Sequence, residues 1–403
     1  MNNVMRFQSY FNTAIKIIQL YDGSMPLSHF LKQYFSQHKK HGSKDRKFIA
    51  HIGYNFYRLG KSFINVSIEE KLKIAIFICN DNVEVWSFLY EDEWLNHHSN
   101  LLQQRIDFIQ TKYPSFSLSY VFPFAGDVSE TLDTSVFIQS FFIQPDVFIR
   151  VRPGNKEKVF QKLQEHKINF NYGDEDCIAL PSSSNIDSII DLDKEAVIQD
   201  YSSQQIKKFF KIIKFEIQNQ TSQIVFDTSV WDCCAGSGGK SILAYDAFEK
   251  INLTVSDVRT SIIRNLKQRF TKAGIKNYKS FVVDITESKF KTQNLKFDLI
   301  ICDAPCTGSG TWSRTPEQLY FFQPEKINDY ALLQQKIISN TISSLKQNGH
   351  FLYITCSVFK KENEEIVDYI KQQFHLELIK MELLKGYNKK ADTMFAALFK
   401  KSI

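Results

Sequence analysis

From about residue 225 to the C-terminus, short apolar runs alternate with amphipathic stretches of helical length. The runs cover 230–232, 253–257, 281–284, 297–303 and 351–356, and a long helix is expected over about 328–347. A strand apolar along its whole length must be covered on both faces, and strands joined by crossover helices build a parallel sheet. The pattern therefore predicts an α/β fold with a doubly wound, mostly parallel, Rossmann-like sheet. Two further strands, near 376–379 and 394–399, close the chain.

In an open α/β sheet, ligands bind beyond the carboxyl ends of the strands, so the residues ending each run carry the chemistry. The first run enters the glycine-rich turn Asp232-Cys233-Cys234-Ala235-Gly236-Ser237-Gly238-Gly239-Lys240. Its glycines let the backbone bend sharply and approach a ligand. It is neither the dinucleotide Gly-x-Gly-x-x-Gly fingerprint nor a P-loop, whose first glycine is missing. Gly239-Lys240-Ser241 matches the P-loop only in part, which keeps adenine-nucleotide chemistry as an alternative. Asp257, Asp284 and Asp303 end the second, third and fourth runs. An acid after the second strand can accept both ribose hydroxyls, and one after the third can face an adenine amino group. That ordered series suits S-adenosylmethionine (SAM). Taken singly, each Asp could equally be a turn former or helix cap.

Two cysteines follow the last two parallel runs: Cys306, in Asp303-Ala304-Pro305-Cys306-Thr307-Gly308, and Cys356, in Thr355-Cys356-Ser357. The seven cysteines are irregularly spaced and include no Cys-x-x-Cys pair, so neither a zinc ribbon nor another metal site is expected. A lone cysteine is more often a buried hydrophobe than a reactive group. If the fourth and fifth strands are neighbours, however, their ends lie about 5 Å apart. A thiolate is then available as a nucleophile. Its addition to C6 of a pyrimidine makes C5 enamine-like and able to attack a methyl sulfonium. A second group must then help remove the C5 proton and release the first thiol. Two thiols beside Asp303 meet that requirement.

The N-terminal part reads differently. Helical spacing recurs over 11–20, 26–35 and 44–54, with Ser43 and Ser67 as N-caps and a break at Gly60. Short connections between such helices imply a bundle. Residues 116–140 are rich in Phe, Ser and Pro and read as a connector; a small α/β module follows, with strands at 147–152 and near Ile178 and Val197. The net charge is +6, and residues 1–61 hold ten basic and two acidic residues, so the positive excess lies there. An anionic partner such as RNA is one reading, and a solvated basic face the other. No apolar run of about 18 residues occurs and no signal-peptide core follows Met1, so a cytoplasmic protein without a membrane partner is expected.

The motifs together resemble the RsmB/Sun-type family of SAM-dependent RNA cytosine-C5 methyltransferases. Residues 232–241 are similar to its cofactor turn. Residues 303–311, with Arg314 and Pro316-Glu317, resemble its fourth-strand motif; Thr355-Cys356-Ser357 with Glu362-Asn363-Glu364 resembles its fifth-strand motif. The resemblance implies Cys356 as the nucleophile, Cys306 as the releasing thiol and Asp303 at the cytosine edge. Cys234, Ala235, Gly236, Ser237, Gly238, Gly239 and Lys240 would hold SAM, with Asp257, Asp284 and Asp303. It further implies three domains: a NusB-like helical RNA-binding domain over 1–125, a small RNA-recognition module over 140–215, and a class I methyltransferase domain over 216–403. Small-subunit (16S) rRNA is the implied substrate, with tRNA open, as is a catalytically degenerate RNA-binding assembly factor; no obligate protein partner is readable. The chain departs from the family at Gly236-Ser237, where Ala-Pro is usual. It departs also at Arg150-Val151-Arg152, where the family has Arg-Val-Asn, and at Asp392-Thr393-Met394-Phe395, where it has Asp-Gly-Phe-Phe.

Overall fold

The computed structural model describes residues 2–220, 227–248, 250–287 and 295–402, with the side chains of 2, 3, 219 and 220 left out. The change of pattern expected near residue 225 lies outside the described residues. The chain divides into two compact units: Met1–Gly126 with Asp133–Gln144 and Thr311–Gln323, and Asp127–Leu132 with Pro145–Gly310 and Pro324–Ile403.

The first unit is helical, with helices Asn2–Leu20, Leu27–Gln37, Ser43–Arg58, Ile68–Cys79 and Leu102–Lys112 among its elements. Ser67 caps its helix by accepting from the Glu70 amide. Ser43, expected as a cap, is instead the first helical residue; Gly42 precedes it and donates its amide to the Asp45 carboxylate at 3.0 Å. The expected connector over 116–140 is more ordered than its composition suggests. It contains helices Leu118–Val121 and Thr134–Ser140, and Phe116, Phe122, Phe124 and Phe137 are buried. Burial of large aromatic surface outweighs the turn-forming content of the segment. Arg58 is buried in this unit and donates to the carbonyls of Phe141, Ile143 and Ser313 at 2.7, 3.1 and 2.8 Å. These bonds tie three separate stretches of chain to one guanidinium.

The second unit contains two sheets. The smaller has strands β1 (Val147–Val151), β2 (Asn171–Tyr172), β3 (Cys177–Leu180) and β4 (Ala196–Ile198), all antiparallel in the order β2-β3-β1-β4. The larger has β5 (Thr228–Asp232), β6 (Ile251–Asp257), β7 (Tyr278–Val282), β8 (Phe297–Asp303), β9 (Leu345–Thr355), β10 (Glu377–Leu384) and β11 (Met394–Lys400). Their order is β10-β11-β9-β8-β5-β6-β7. The five strands β5 to β9 run parallel, and β10 and β11 add antiparallel pairs at one edge. The doubly wound expectation therefore holds. The chain order reverses between β5 and β8, which makes their carboxyl ends the switch point.

Among the boundaries that differ from the sequence expectation are those of the third parallel strand and the long helix. The third parallel strand runs Tyr278–Val282 rather than 281–284, because Asp284 accepts from the Thr286 amide at 2.9 Å and so closes a turn. The long helix is Glu325–Ile342, and β9 begins already at Leu345. Asn348, at φ 60°, and Gly349 lie within β9, where the register shifts before His350 pairs with Leu299.

Both faces of the parallel sheet are covered. Val230, Leu253, Val255, Leu299, Ile301, Leu352 and Ile354 share one core cluster with Phe209, Ile242, Leu266 and Phe270. The alternate residues Trp231, Ile300 and Tyr353 are also fully buried. Helix Glu325–Ile342 packs against β8, β9 and helix Glu364–Phe374.

Candidate active site at the carboxyl ends of the parallel strands

The turn after β5 is built by left-handed glycines. Gly236 has φ 51° and Gly238 φ 85°, and a Cβ at Gly238 would meet Phe270 at 2.8 Å. A Cβ at Gly236 or Gly239 would meet nothing within 4 Å, so the backbone there faces open space. Helix Gly239–Ala247 then starts, and its Lys240 donates to Asp303 Oδ2 at 3.1 Å and to Ser203 Oγ at 2.8 Å. Ser241 Oγ donates to Asp232 Oδ2 at 2.5 Å. Burial pushes the Asp232 carboxyl up to about 7, against the opposing effect of that bond. Its Oδ1 has no hydrogen-bond partner among the described residues.

Asp257 ends β6 and accepts the Gly236 amide at 3.1 Å. It also accepts the Arg259 amide at 2.9 Å and the Arg259 guanidinium at 3.1 Å. Asp257 therefore holds the glycine-rich turn in place. Asp284 lies beyond β7, next to Val283, whose amide donates to the Asp257 carbonyl at 3.2 Å. Its carboxylate accepts both the amide and the hydroxyl of Thr286. Each acid thus also makes the local turn bonds that its residue type favours.

β8 and β9 are parallel neighbours, with Asp303 opposite Ile354. The Ala304 amide donates to the Ile354 carbonyl at 2.9 Å, and the Gly310 amide to the Cys356 carbonyl at 2.8 Å. These bonds bring the sulfurs of Cys306 and Cys356 to 3.2 Å. The contact with Cys356, then burial, pushes the Cys306 thiol up. A Cβ on Gly310 would come within 2.0 Å of the Thr393 carbonyl oxygen, so only glycine allows this crossing.

The sequence motif names Glu362 without giving it a task. Its carboxylate is fully buried and accepts the Thr307 amide at 2.9 Å, the Thr307 hydroxyl at 2.6 Å, the Gln334 amide group at 3.0 Å and the Ser357 hydroxyl. Burial pushes this carboxyl up, while the Ser357 and Thr307 bonds oppose. Glu362 thereby clamps the residue after each cysteine. Gln334 adds a bond to the Pro305 carbonyl at 3.0 Å. Arg269 was not found by sequence reasoning either. Its guanidinium donates to the Ser237 carbonyl at 2.8 Å, the Ser237 hydroxyl at 3.0 Å and the Asp193 carboxylate at 2.7 Å. It braces the turn at the position where the family has proline. The only signal for Arg269 in the sequence is a helical basic residue, which on its own reads as a surface charge.

The arrangement can hold a nucleoside against an open glycine backbone and place two thiols and a carboxylate beside it. Residues 221–399 match the family model described as the 16S rRNA methyltransferase RsmB/F. The "Probable ribosomal RNA small subunit methyltransferase B" of Bacillus subtilis is 27% identical over 173 residues, 41% of this chain and 39% of that protein. The ribosomal RNA small subunit methyltransferase F of Psychromonas ingrahamii is 29% identical over 171 residues, 41% of this chain and 34% of that protein. The matched stretch thus spans under two fifths of either relative. The crystal structure of PH0851 superposes with a TM-score of 0.70 at 19% identity, covering 97% of this chain and 98% of that one, which shows the shared fold.

Proposed function

We propose that this chain, whose residues 221–399 match the family model of the 16S rRNA methyltransferase RsmB/F, transfers a methyl group from SAM to C5 of a cytosine in RNA. The observation carrying this reading is the 3.2 Å approach of Cys306 and Cys356 at the ends of β8 and β9, beside the glycine-rich turn. The residues present fit SAM. The backbone at Gly236 and Gly239 is open to a ligand, and Asp232 has an unpartnered buried oxygen. Residues 234–240 with Asp257 and Asp284 would hold the nucleoside and amino-acid parts. SAM supplies an electrophilic methyl on a sulfonium.

Cys356, as thiolate, adds to C6 of the cytosine and makes C5 nucleophilic. Asp303, held by Lys240, orients the base by its hydrogen-bonding edge. Cys306 would assist release: a base takes the C5 proton, its C–H electron pair restores the C5–C6 double bond, and the Cys356 sulfur leaves C6 as thiolate. The resemblance assigns these roles. The names of the matched relatives favour small-subunit rRNA over tRNA, and such a substrate implies a cytoplasmic protein. No described helix is long and apolar enough to cross a membrane.

Incubation with methyl-labelled SAM and total RNA, followed by mapping of 5-methylcytosine, tests the reading. Label at a small-subunit rRNA cytosine is the expected result. Label in tRNA alone would move the substrate, and no transfer to any RNA would favour a catalytically degenerate RNA-binding protein.

A further inference from the structure

Three thiols other than the reacting pair gather at the start of the glycine-rich turn and the end of β8. Cys233 and Cys234 follow β5, Cys302 lies in the adjacent β8, and their sulfurs all lie within 4.8 Å of one another. Cys233 and Cys302 are fully buried and Cys234 is half-buried. The sheet itself sets two of the positions. Asp232 pairs with Ile301, and the Cys233 amide donates to the Ile301 carbonyl at 2.9 Å, which puts residue 233 beside residue 302. Sequence spacing alone would pair Cys302 with Cys306 as a mock ligand pair. The end of β8 at Asp303 separates them: Cys302, in the strand, joins the thiols of the β5 end, while Cys306, in the loop beyond it, meets Cys356.

Thiolate sites for d10 cations have metal–sulfur distances of about 2.3 Å, which puts the sulfurs about 4 Å apart. Small side-chain adjustments bring the observed cluster to that spacing. An all-sulfur set rejects hard oxygen-seeking ions and selects soft ones.

We propose that Cys233, Cys234 and Cys302 form a three-thiolate site for a thiophilic d10 cation of the Zn(II), Cd(II) or Cu(I) class, separate from the reacting thiol pair. Binding breaks three S–H bonds, forms three sulfur–metal bonds and releases three protons to solvent, with no change of oxidation state. The site also touches the turn. Cys234 is the second residue after β5, so a bound cation restrains the backbone leading to Gly236. A ligand of the turn and the cation then alter each other's affinity by the same factor.

Cd(II) titration of the reduced full-length chain tests this through the thiolate-to-metal charge-transfer absorption, which is read without any methyl transfer. The expected result is a band saturating at one Cd(II) per chain and kept in the Cys306→Ser/Cys356→Ser double variant. Loss of one of three ligands should weaken binding by at least about 100-fold, since even supporting residues cost about 10–100-fold. That loss is expected in Cys302→Ser and, independently, in Cys234→Ser, whose half-buried position spares the core if Cys302→Ser misfolds. Absence of a band, or a band that survives both single variants and disappears in the double variant, overturns the proposal.

Discussion

Cys306 Sγ and Cys356 Sγ stand 3.2 Å apart although fifty residues separate them in the chain. The contact depends on β8 and β9 being parallel neighbours and on the Gly310–Cys356 backbone bond that joins the two loops. The contact with Cys356, then burial, pushes the Cys306 thiol up. Cys356→Ala should abolish methyl transfer yet keep SAM binding, read by isothermal titration. Cys306→Ala should instead trap a covalent protein–RNA adduct on denaturing gels. An adduct with Cys356→Ala and none with Cys306→Ala would exchange the two roles.

Glu362→Gln should weaken the clamp over both thiol loops. The carboxylate accepts from Thr307, Ser357 and Gln334 in a buried setting, and a hydrogen bond to a charged group contributes about 1.5–3 kcal/mol. The expected outcome is a loss of that order in chemical denaturation and a lower kcat at little-changed KM for SAM. A variant that loses stability but keeps kcat would limit Glu362 to a folding role.

Asp232 makes stability depend on pH. Its carboxyl is raised from 3.8 to about 7 by burial, so between those values the folded chain holds a proton that the unfolded chain releases. The contribution is fully present below pH 3.8 and is lost as pH rises through about 7. Asp232→Asn should flatten this fall, measured as denaturation midpoint against pH. A slope identical to the parent's would locate the proton elsewhere.

Arg269→Ala should release the turn at Ser237 while leaving the sheet intact. The variant removes two donated bonds and the Asp193 ion pair, and roughly tenfold weaker SAM binding is expected, which corresponds to about 1.4 kcal/mol. Calorimetric titration with the cofactor product analogue reads this directly, and an unchanged Kd would show that the turn needs no brace.

Lys32, Lys39, Lys40, Lys44 and Lys47 are all exposed in the helical unit. Replacing them with Gln should weaken RNA binding and reduce the salt slope by about 0.7–0.9 for each phosphate no longer neutralised. Filter binding across a salt series checks this; an unchanged slope would mean the face is only solvated.

The strand ends are legible in the sequence because an apolar run of three to seven residues closing on Asp is a local signal; β8, Phe297–Asp303, has the predicted bounds. The third strand is displaced because Asp284 commits its carboxylate to a turn with Thr286, a choice that depends on two residues beyond the run. The helices within 116–140 are not legible, because composition counts turn formers but does not show which aromatics find a core.

The sequence alone determined the alternation of strand and helix, the glycine-rich turn, and the presence of two strand-end thiols and three strand-end acids. Local patterning carries all of these, since periodicity and residue type act within a few positions. Only the tertiary structure decided that Cys306 meets Cys356 while Cys302 turns to Cys233 and Cys234, that Glu362 clamps both thiol loops, and that Arg269 braces Ser237. Those contacts join residues far apart in the chain. They follow from strand order and from where each strand ends and its loop begins.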